Sequence, residues 1–316
     1  MPGNMASEKE EYRMRSEKEM FELIINIARN DERIRAVFMN GSRTNPNAPK
    51  DIFQDYDIVY AVKETRSFID DKGWPDRFGD ILFMQYPDEF PDLYPEEAVP
   101  KSDRYAWLMQ FKDGTRIDLT VMSIEYAKTN ILTDSLCEII LDKDNCLPEI
   151  PESSDEMYRV KKPTERIFLC TCNEFWWCLD NVAKGLWRKE IPYVQDMLSQ
   201  VVRKQLEKVL CWKAGILTDF TVSTGKSAKY LYRWLSPDEW QRYLDTYAGG
   251  NVTDIWNAVG IMCDLFYETA KWVASRLGYD LCEEEALNCM AYLKKVRELP
   301  YDAEDFGYMP GGITSV

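Results

Sequence analysis

Residues 16–30 place Met20, Leu23, Ile24, Ile27 and Ala28 at the three- and four-residue spacing of a single helix face. The pattern then shortens. Residues 34–39 form a compact apolar run that ends at Asn40-Gly41-Ser42, and a loop containing Pro46 and Pro49 follows. Runs at 56–62, 81–85, 105–111 and 116–122 read as further strands, and 138–142 as one more. Between the third and fourth of these runs, Lys112-Asp113-Gly114-Thr115 carries the Asp-Gly pair that suits a hairpin turn. From residue 164 the period lengthens again and predicts helices over 164–188, 192–215, 225–234, 237–247, 252–277 and 283–298. Pro163 and Pro237 sit where first-turn prolines are tolerated, and Ser236 is placed to cap the helix at Pro237.

The expected fold class is therefore α+β. An N-terminal domain over 14–150 has a mixed β-sheet with flanking helices and an antiparallel component. A C-terminal helical bundle spans 151–305, with the boundary in the polar, proline-bearing stretch 148–162. Residues 1–13 and 306–316 read as tails without assigned function, and Met14 is a second plausible start.

Composition narrows the function classes. With 45% apolar residues and ten tryptophans the chain has ample material for buried cores. No window approaches a run of ~18 apolar residues, and the charged N-terminus lacks the apolar stretch of a secretory signal. A soluble, cytoplasmic protein with no membrane partner is expected. The nine cysteines are odd in number and several fall within helical apolar patterns, so reduced thiols are expected. Cys170 and Cys172 lie on different faces of a helix and do not form a metal pair.

There is no histidine. Ser-His-Asp and Cys-His catalysis are excluded, and acid–base work falls to carboxylates, lysines, tyrosines, thiols or bound water. Net charge is −15. Residues 1–150 hold 30 acidic and 19 basic side chains (−11), against 24 and 20 in 151–316 (−4). Such a surface repels nucleic acid and attracts a polycationic small molecule.

Candidate chemistry centres on Asp55-Tyr56-Asp57 at the start of a predicted strand. Alternation puts both carboxylates on one side of that strand, an arrangement that repels itself unless a cation intervenes. Oxygen donors of this kind suit Mg²⁺. Upstream, Gly41 would let backbone N–H groups approach a phosphate, with the Ser42 hydroxyl and the Arg43 guanidinium as further partners. Downstream, Arg116 to Val121 alternates: Ile117, Leu119 and Val121 form a buried face, while Arg116, Asp118 and Thr120 point the other way. Three acids on two strands beside a glycine-serine turn favour a two-metal phosphoryl site.

These residues bear a family resemblance. Gly41-Ser42, Asp55-x-Asp57 and Asp118 resemble the polymerase-β-like nucleotidyltransferase superfamily. More closely, residues 38–46 and 51–59, together with 84–90 and 225–230, are similar to aminoglycoside 6-adenylyltransferases, the streptomycin-modifying resistance enzymes. The similarity runs from about Met14 to near residue 300. It implies that 14–150 is the nucleotidyltransferase domain, and that Asp55, Asp57 and Asp118 hold two Mg²⁺ per site with ATP as co-substrate. Asp118 would also act as general base on a substrate hydroxyl, directly or through a metal. AMP would pass to a hydroxyl of streptomycin, the 6-position resting on the resemblance alone, with release of pyrophosphate.

Gly41, Ser42 and Arg43 would then bind nucleotide, and ATP needs further cations, for which Lys204 and Lys226 are the candidates. Thr224-Gly225-Lys226-Ser227 is not a Walker loop, because Phe220 stands where its first glycine is required. For a guanidinium-bearing substrate two groups qualify. Asp88 and Glu89 begin the acidic segment 88–97, and Glu174, Trp177 and Asp180 lie three apart on one helix face, with Phe175 and Trp176 packing inward. Oligomeric state is not legible. The alternatives are a nucleotidyltransferase acting on another small molecule or a protein, and a non-catalytic nucleotide-binding sensor.

Overall fold

The computed structural model describes residues 13–90, 95 and 99–309. The chain folds as two compact units, one ending at Met157 and the next starting at Tyr158. Most of the acidic segment (Asp92, Glu96 and Glu97) and most of the two expected tails lie outside the described residues.

In the first unit, helix α1 (Glu17–Asn30) begins at a capping box in which Ser16 and Glu19 satisfy each other's backbone N–H. Its Met20, Ile24 and Ala28 are buried. Strands β1 (Ile34–Asn40) and β2 (Tyr56–Val62) follow, then a short helix α2 (Arg66–Asp70) and β3 (Ile81–Gln85). Next come β4 (Arg104–Phe111), β5 (Arg116–Ser123), helix α3 (Ile124–Asn130) and β6 (Cys137–Asp142). The six strands are ordered β3-β4-β5-β2-β1-β6. β2 and β5 run parallel, and every other neighbouring pair is antiparallel.

One face of this sheet carries the larger core. Ile58, Tyr60, Val62, Trp107, Ile117, Leu119 and Val121 pack there with Met20, Ile24, Trp74 and Phe78. Tyr60, fully buried, donates its hydroxyl to the Ile24 carbonyl at 2.7 Å and so ties β2 to α1. The opposite face has a smaller core of Ala36, Phe38, Val59, Ala61, Met122 and Ala127 around α3. That cover stops short of β4 and the start of β5, which leaves part of the second face open.

The hairpin turn is held firmly. Asp113 accepts from the Arg15 Nε at 2.6 Å and from the Thr115 hydroxyl at 2.7 Å, and Gly114 takes φ +89°.

In the second unit, α4 (Glu165–Trp187) starts at the N-cap Thr164, one residue later than the prediction, with Pro163 preceding the cap. The predicted helix over 192–215 is interrupted. It consists of α5 (Ile191–Met197), a π-helical segment Leu198–Val202, and α6 (Arg203–Leu217). Periodicity does not register the break because one extra residue in a turn barely shifts an apolar stripe.

The predicted helix over 225–234 does not form. Two 3₁₀ turns, Lys226–Ala228 and Leu231–Arg233, replace it. Gly225 has φ +74°, and the Tyr230 ring lies where a Cβ at Gly225 would stand, 2.7 Å away. Ser227 and Ala228 are left-handed as well, so the backbone cannot propagate a helix.

Helix α7 (Pro237–Leu244) uses Ser236 and Glu239 as a capping box. α8 (Val252–Leu277) is capped by Asn251 and ends at the left-handed Gly278, while α9 (Glu283–Glu298) closes the set. Phe175 stacks on Phe266 with ring centroids 3.7 Å apart, at the centre of one apolar core. All nine cysteines are free thiols. Among the described residues no helix is long and apolar enough to cross a membrane.

Candidate active site

Parallel pairing of β2 with β5 sets Asp57 directly beside Asp118. Asp55, two residues before Asp57, reaches the same side. Carboxylate oxygens of Asp55, Asp57 and Asp118 lie within 4.8 Å of one another, the one such group among the described residues. All three side chains are half-buried. Burial, reinforced by the Asp55 and Asp118 carboxylates, pushes the Asp57 carboxyl up to about 7. Asp134 adds to the same field. A cluster of three hard oxygen donors, with one arginine beside it, fits a divalent cation such as Mg²⁺.

The turn after β1 explains how a side chain can sit so near the backbone. Gly41 has φ +80°, and a Cβ there would stand 2.1 Å from the Asp57 Oδ2. Any other residue would collide with the carboxylate. The amide of Gly41 donates to the Leu136 carbonyl at 3.2 Å. Its role here is clearance for Asp57. The Ser42 hydroxyl follows in the Gly41–Arg43 turn and has no hydrogen-bond partner among the described residues.

Arg43 departs from the expectation of an oxyanion partner. Its Nε donates to the Asp55 carbonyl at 2.9 Å, its Nη2 to the Gln54 carbonyl at 2.8 Å, and its guanidinium lies 3.6 Å over the Tyr56 ring. In this structure it clamps the loop that delivers Asp55.

An open cavity of about 470 Å³ adjoins the acids on the uncovered sheet face. Asp57, Asp118, Thr120, Asn40, Gln85 and Asn130 are among its lining residues. Beside it, Asp88 accepts from the Ala106 amide at 2.8 Å, and Glu89 accepts from Lys101 at 2.7 Å and from the Tyr105 hydroxyl at 2.8 Å. These two carboxylates, expected to face a cationic substrate, fasten their turn to β4.

In the helical unit, Phe175 and Trp176 are buried as predicted and Trp177 is 68% exposed. Glu174 lies on the exposed side of α4, and Asp180 pairs with Lys184 at 2.6 Å. Lys204 and Lys226 are exposed, and Lys204 donates to Gln200 at 3.2 Å. Their neighbour Arg203 turns inward, with its Nη2 on the Thr246 carbonyl at 2.8 Å and its guanidinium 4.0 Å over Tyr247.

Two members of the acidic site have no role assigned from sequence. Arg116 donates to both oxygens of Asp118, at 2.7 Å each. Its signal was available: alternation on β5 places it on the face of Asp118. Asp134 had no local signal, because it approaches only through the pairing of β6 with the end of β1, where Asn40 meets Cys137.

Known proteins resemble this chain along most of its length. Residues 14–296 match the family model described as streptomycin adenylyltransferase. The aminoglycoside 6-adenylyltransferase of Campylobacter jejuni is 38% identical over 284 residues, covering 89% of this chain and 97% of that protein. The Bacillus subtilis (strain 168) protein of the same name is 37% identical, covering 84% and 93%. A crystal structure of an aminoglycoside 6-adenyltransferase from Bacillus subtilis aligns with a TM-score of 0.44 at 30% identity, covering 90% of this chain and 99% of that one. With a family match over most of its length, this chain belongs to the streptomycin adenylyltransferase family.

Proposed function

We propose that this enzyme transfers AMP from ATP to a hydroxyl of streptomycin, the 6-hydroxyl by analogy with its relatives, releasing pyrophosphate and conferring resistance. The observation that carries the reading is the in-register placement of Asp57 beside Asp118, with Asp55 completing three carboxylates next to the Gly41-Ser42 turn. The names of the aminoglycoside 6-adenylyltransferase relatives support the substrate class.

Asp55, Asp57 and Asp118 would hold Mg²⁺, which when bound would neutralise phosphate charge and polarise the reacting phosphoryl group. Asp118 takes the proton of the substrate hydroxyl. The hydroxyl oxygen bonds to the α-phosphorus as the bond to the bridging oxygen breaks, and pyrophosphate leaves with that electron pair. Gly41 keeps room for the Asp57 carboxylate, and the Ser42 hydroxyl donates to a phosphate oxygen. Lys204 and Lys226 are proposed to balance triphosphate charge. Glu174, Trp177 and Asp180 are proposed to receive the guanidinium groups of the drug, with Trp177 offering an exposed ring face. The protein would act in the cytoplasm, without nucleic-acid or membrane partners.

The test is magnesium-dependent pyrophosphate release from ATP with streptomycin, beside spectinomycin and an Asp118→Asn variant. Release with streptomycin that disappears in the variant supports the reading. Tight ATP binding without release for either drug would overturn it.

A further inference from the structure

The arginines of the first unit differ in what they hold. Arg15, Arg35 and Arg43 each donate to a backbone carbonyl as well as pairing with an acid, so they are tied into the fold. Arg116 makes no such backbone bond among the described residues. Its Nε and Nη2 grip the two oxygens of Asp118 at 2.7 Å each, its Nε lies 3.8 Å from Asp55, and 45% of its side chain is exposed. Every ion pair it forms among the described residues is with the carboxylate cluster.

This grip conflicts with the proposed chemistry, on which the inference rests. A guanidinium fork takes one lone pair from each oxygen of a carboxylate and sets a positive charge against it, which weakens it both as a metal ligand and as a proton acceptor. Arg116 therefore competes with a metal for Asp118, and Asp118 works best once Arg116 has let go. Its long exposed stem permits that, and its planar fork suits phosphate oxygens as well as it suits a carboxylate.

We propose that Arg116 is a placeholder cation: it neutralises the acidic cluster when no metal is present, and it yields Asp118 to the metal by moving onto the phosphates of the incoming nucleotide. It is thus a positioning residue for Asp118 and a contact for the nucleotide. Its exchange makes metal and nucleotide bind together, because the nucleotide supplies the arginine with a new partner.

The test measures Mn²⁺ binding by electron paramagnetic resonance, with metal alone and then with a non-hydrolysable ATP analogue. Wild type is compared with Arg116→Ala, Arg116→Lys and Asp118→Asn. Removing the competing cation is expected to tighten Mn²⁺ binding in the absence of nucleotide roughly three- to tenfold in Arg116→Ala. The same variant is expected to bind the analogue about tenfold or more weakly. Arg116→Lys keeps the charge without the fork, so its Mn²⁺ affinity stays near wild type while nucleotide affinity falls. A residue with a merely structural role would not strengthen metal binding when removed. Unchanged or weaker Mn²⁺ binding in Arg116→Ala, or unchanged analogue binding, overturns the placeholder. If Arg116→Ala is not folded by circular dichroism, Arg116→Gln carries the same comparison. Should wild type lack Mn²⁺ binding that Asp118→Asn abolishes, the three-acid reading itself fails, and the placeholder with it.

Discussion

At the scale of single residues, the site depends on crowding that the fold imposes. Gly41→Ala would bring a methyl group against the Asp57 carboxylate in a backbone region disfavoured for alanine. The expected result is a loss of about 1–3 kcal/mol in stability together with near-complete loss of adenylylation, read by thermal unfolding and by pyrophosphate release. Asp57→Asn should separate these two quantities. It removes a carboxylate that burial and its neighbours disfavour, so the metal-free protein should melt no lower than wild type, while turnover falls by about 10³ or more. A lowered melting point in that variant would argue that Asp57 supports the fold rather than the chemistry. Asp57 and Asp118 were legible in the sequence because alternation on strands is strict, and Asp55, just before β2, because it stands two residues from Asp57. The engagements of Arg43, Asp88 and Glu89 were not, since each depends on partners brought near only by folding: the backbone of the loop before β2 for Arg43, the Ala106 amide for Asp88, and the Lys101 and Tyr105 side chains for Glu89.

Among elements, strands and long helices were legible almost to the residue, including β6 and the helix over 252–277. Each couples a clear apolar period to a recognisable cap or turn. Where the backbone departs from regularity, the pattern was silent: the π-helical segment at Leu198–Val202 and the two 3₁₀ turns after Gly225 preserve apolar spacing while changing the hydrogen bonding. Two substitutions probe how elements are joined. Tyr60→Phe should cost about 1–2 kcal/mol, because the Ile24 carbonyl loses its buried partner while the ring still packs. Phe266→Ala, by removing one half of the stacked pair with Phe175, should cost about 3–5 kcal/mol. Chemical denaturation of each variant measures both, and equal losses would contradict this ranking.

For the molecule as a whole, charge governs the response to solvent. Asp31, Asp113 and Asp142 are partly buried, which alone would raise their carboxyls, but hydrogen bonds from Arg33, from Arg15 and Thr115, and from the amides of Leu147 and Cys146 more than offset this and hold them below the ordinary 3.8. A carboxyl lowered on folding stabilises the native state above its unfolded value and loses that contribution as pH falls through the folded value. Acid unfolding should therefore steepen below about pH 4. Asp113→Asn should lower stability at neutral pH and flatten that acid limb, as followed by circular dichroism. The net charge of −15 bears on the proposed substrate too. Raising salt from about 0.05 to about 0.5 M should increase the KM for streptomycin while kcat changes little, since screening weakens attraction of a polycation without touching the reacting groups.

The parallel pairing of β2 with β5 has a consequence in time. Asp57 and Asp118 belong to distant stretches of chain, with β3 and β4 threaded between them, so the acidic cluster does not exist until a non-local strand pair has closed in register. Such pairings come late and slowly in folding. A divalent cation should then find no binding site in the unfolded chain or in early collapsed states, and it should leave the refolding rate unchanged. Its entire stabilising effect would appear as slower unfolding, making the metal a latch on the finished sheet rather than a template for building it.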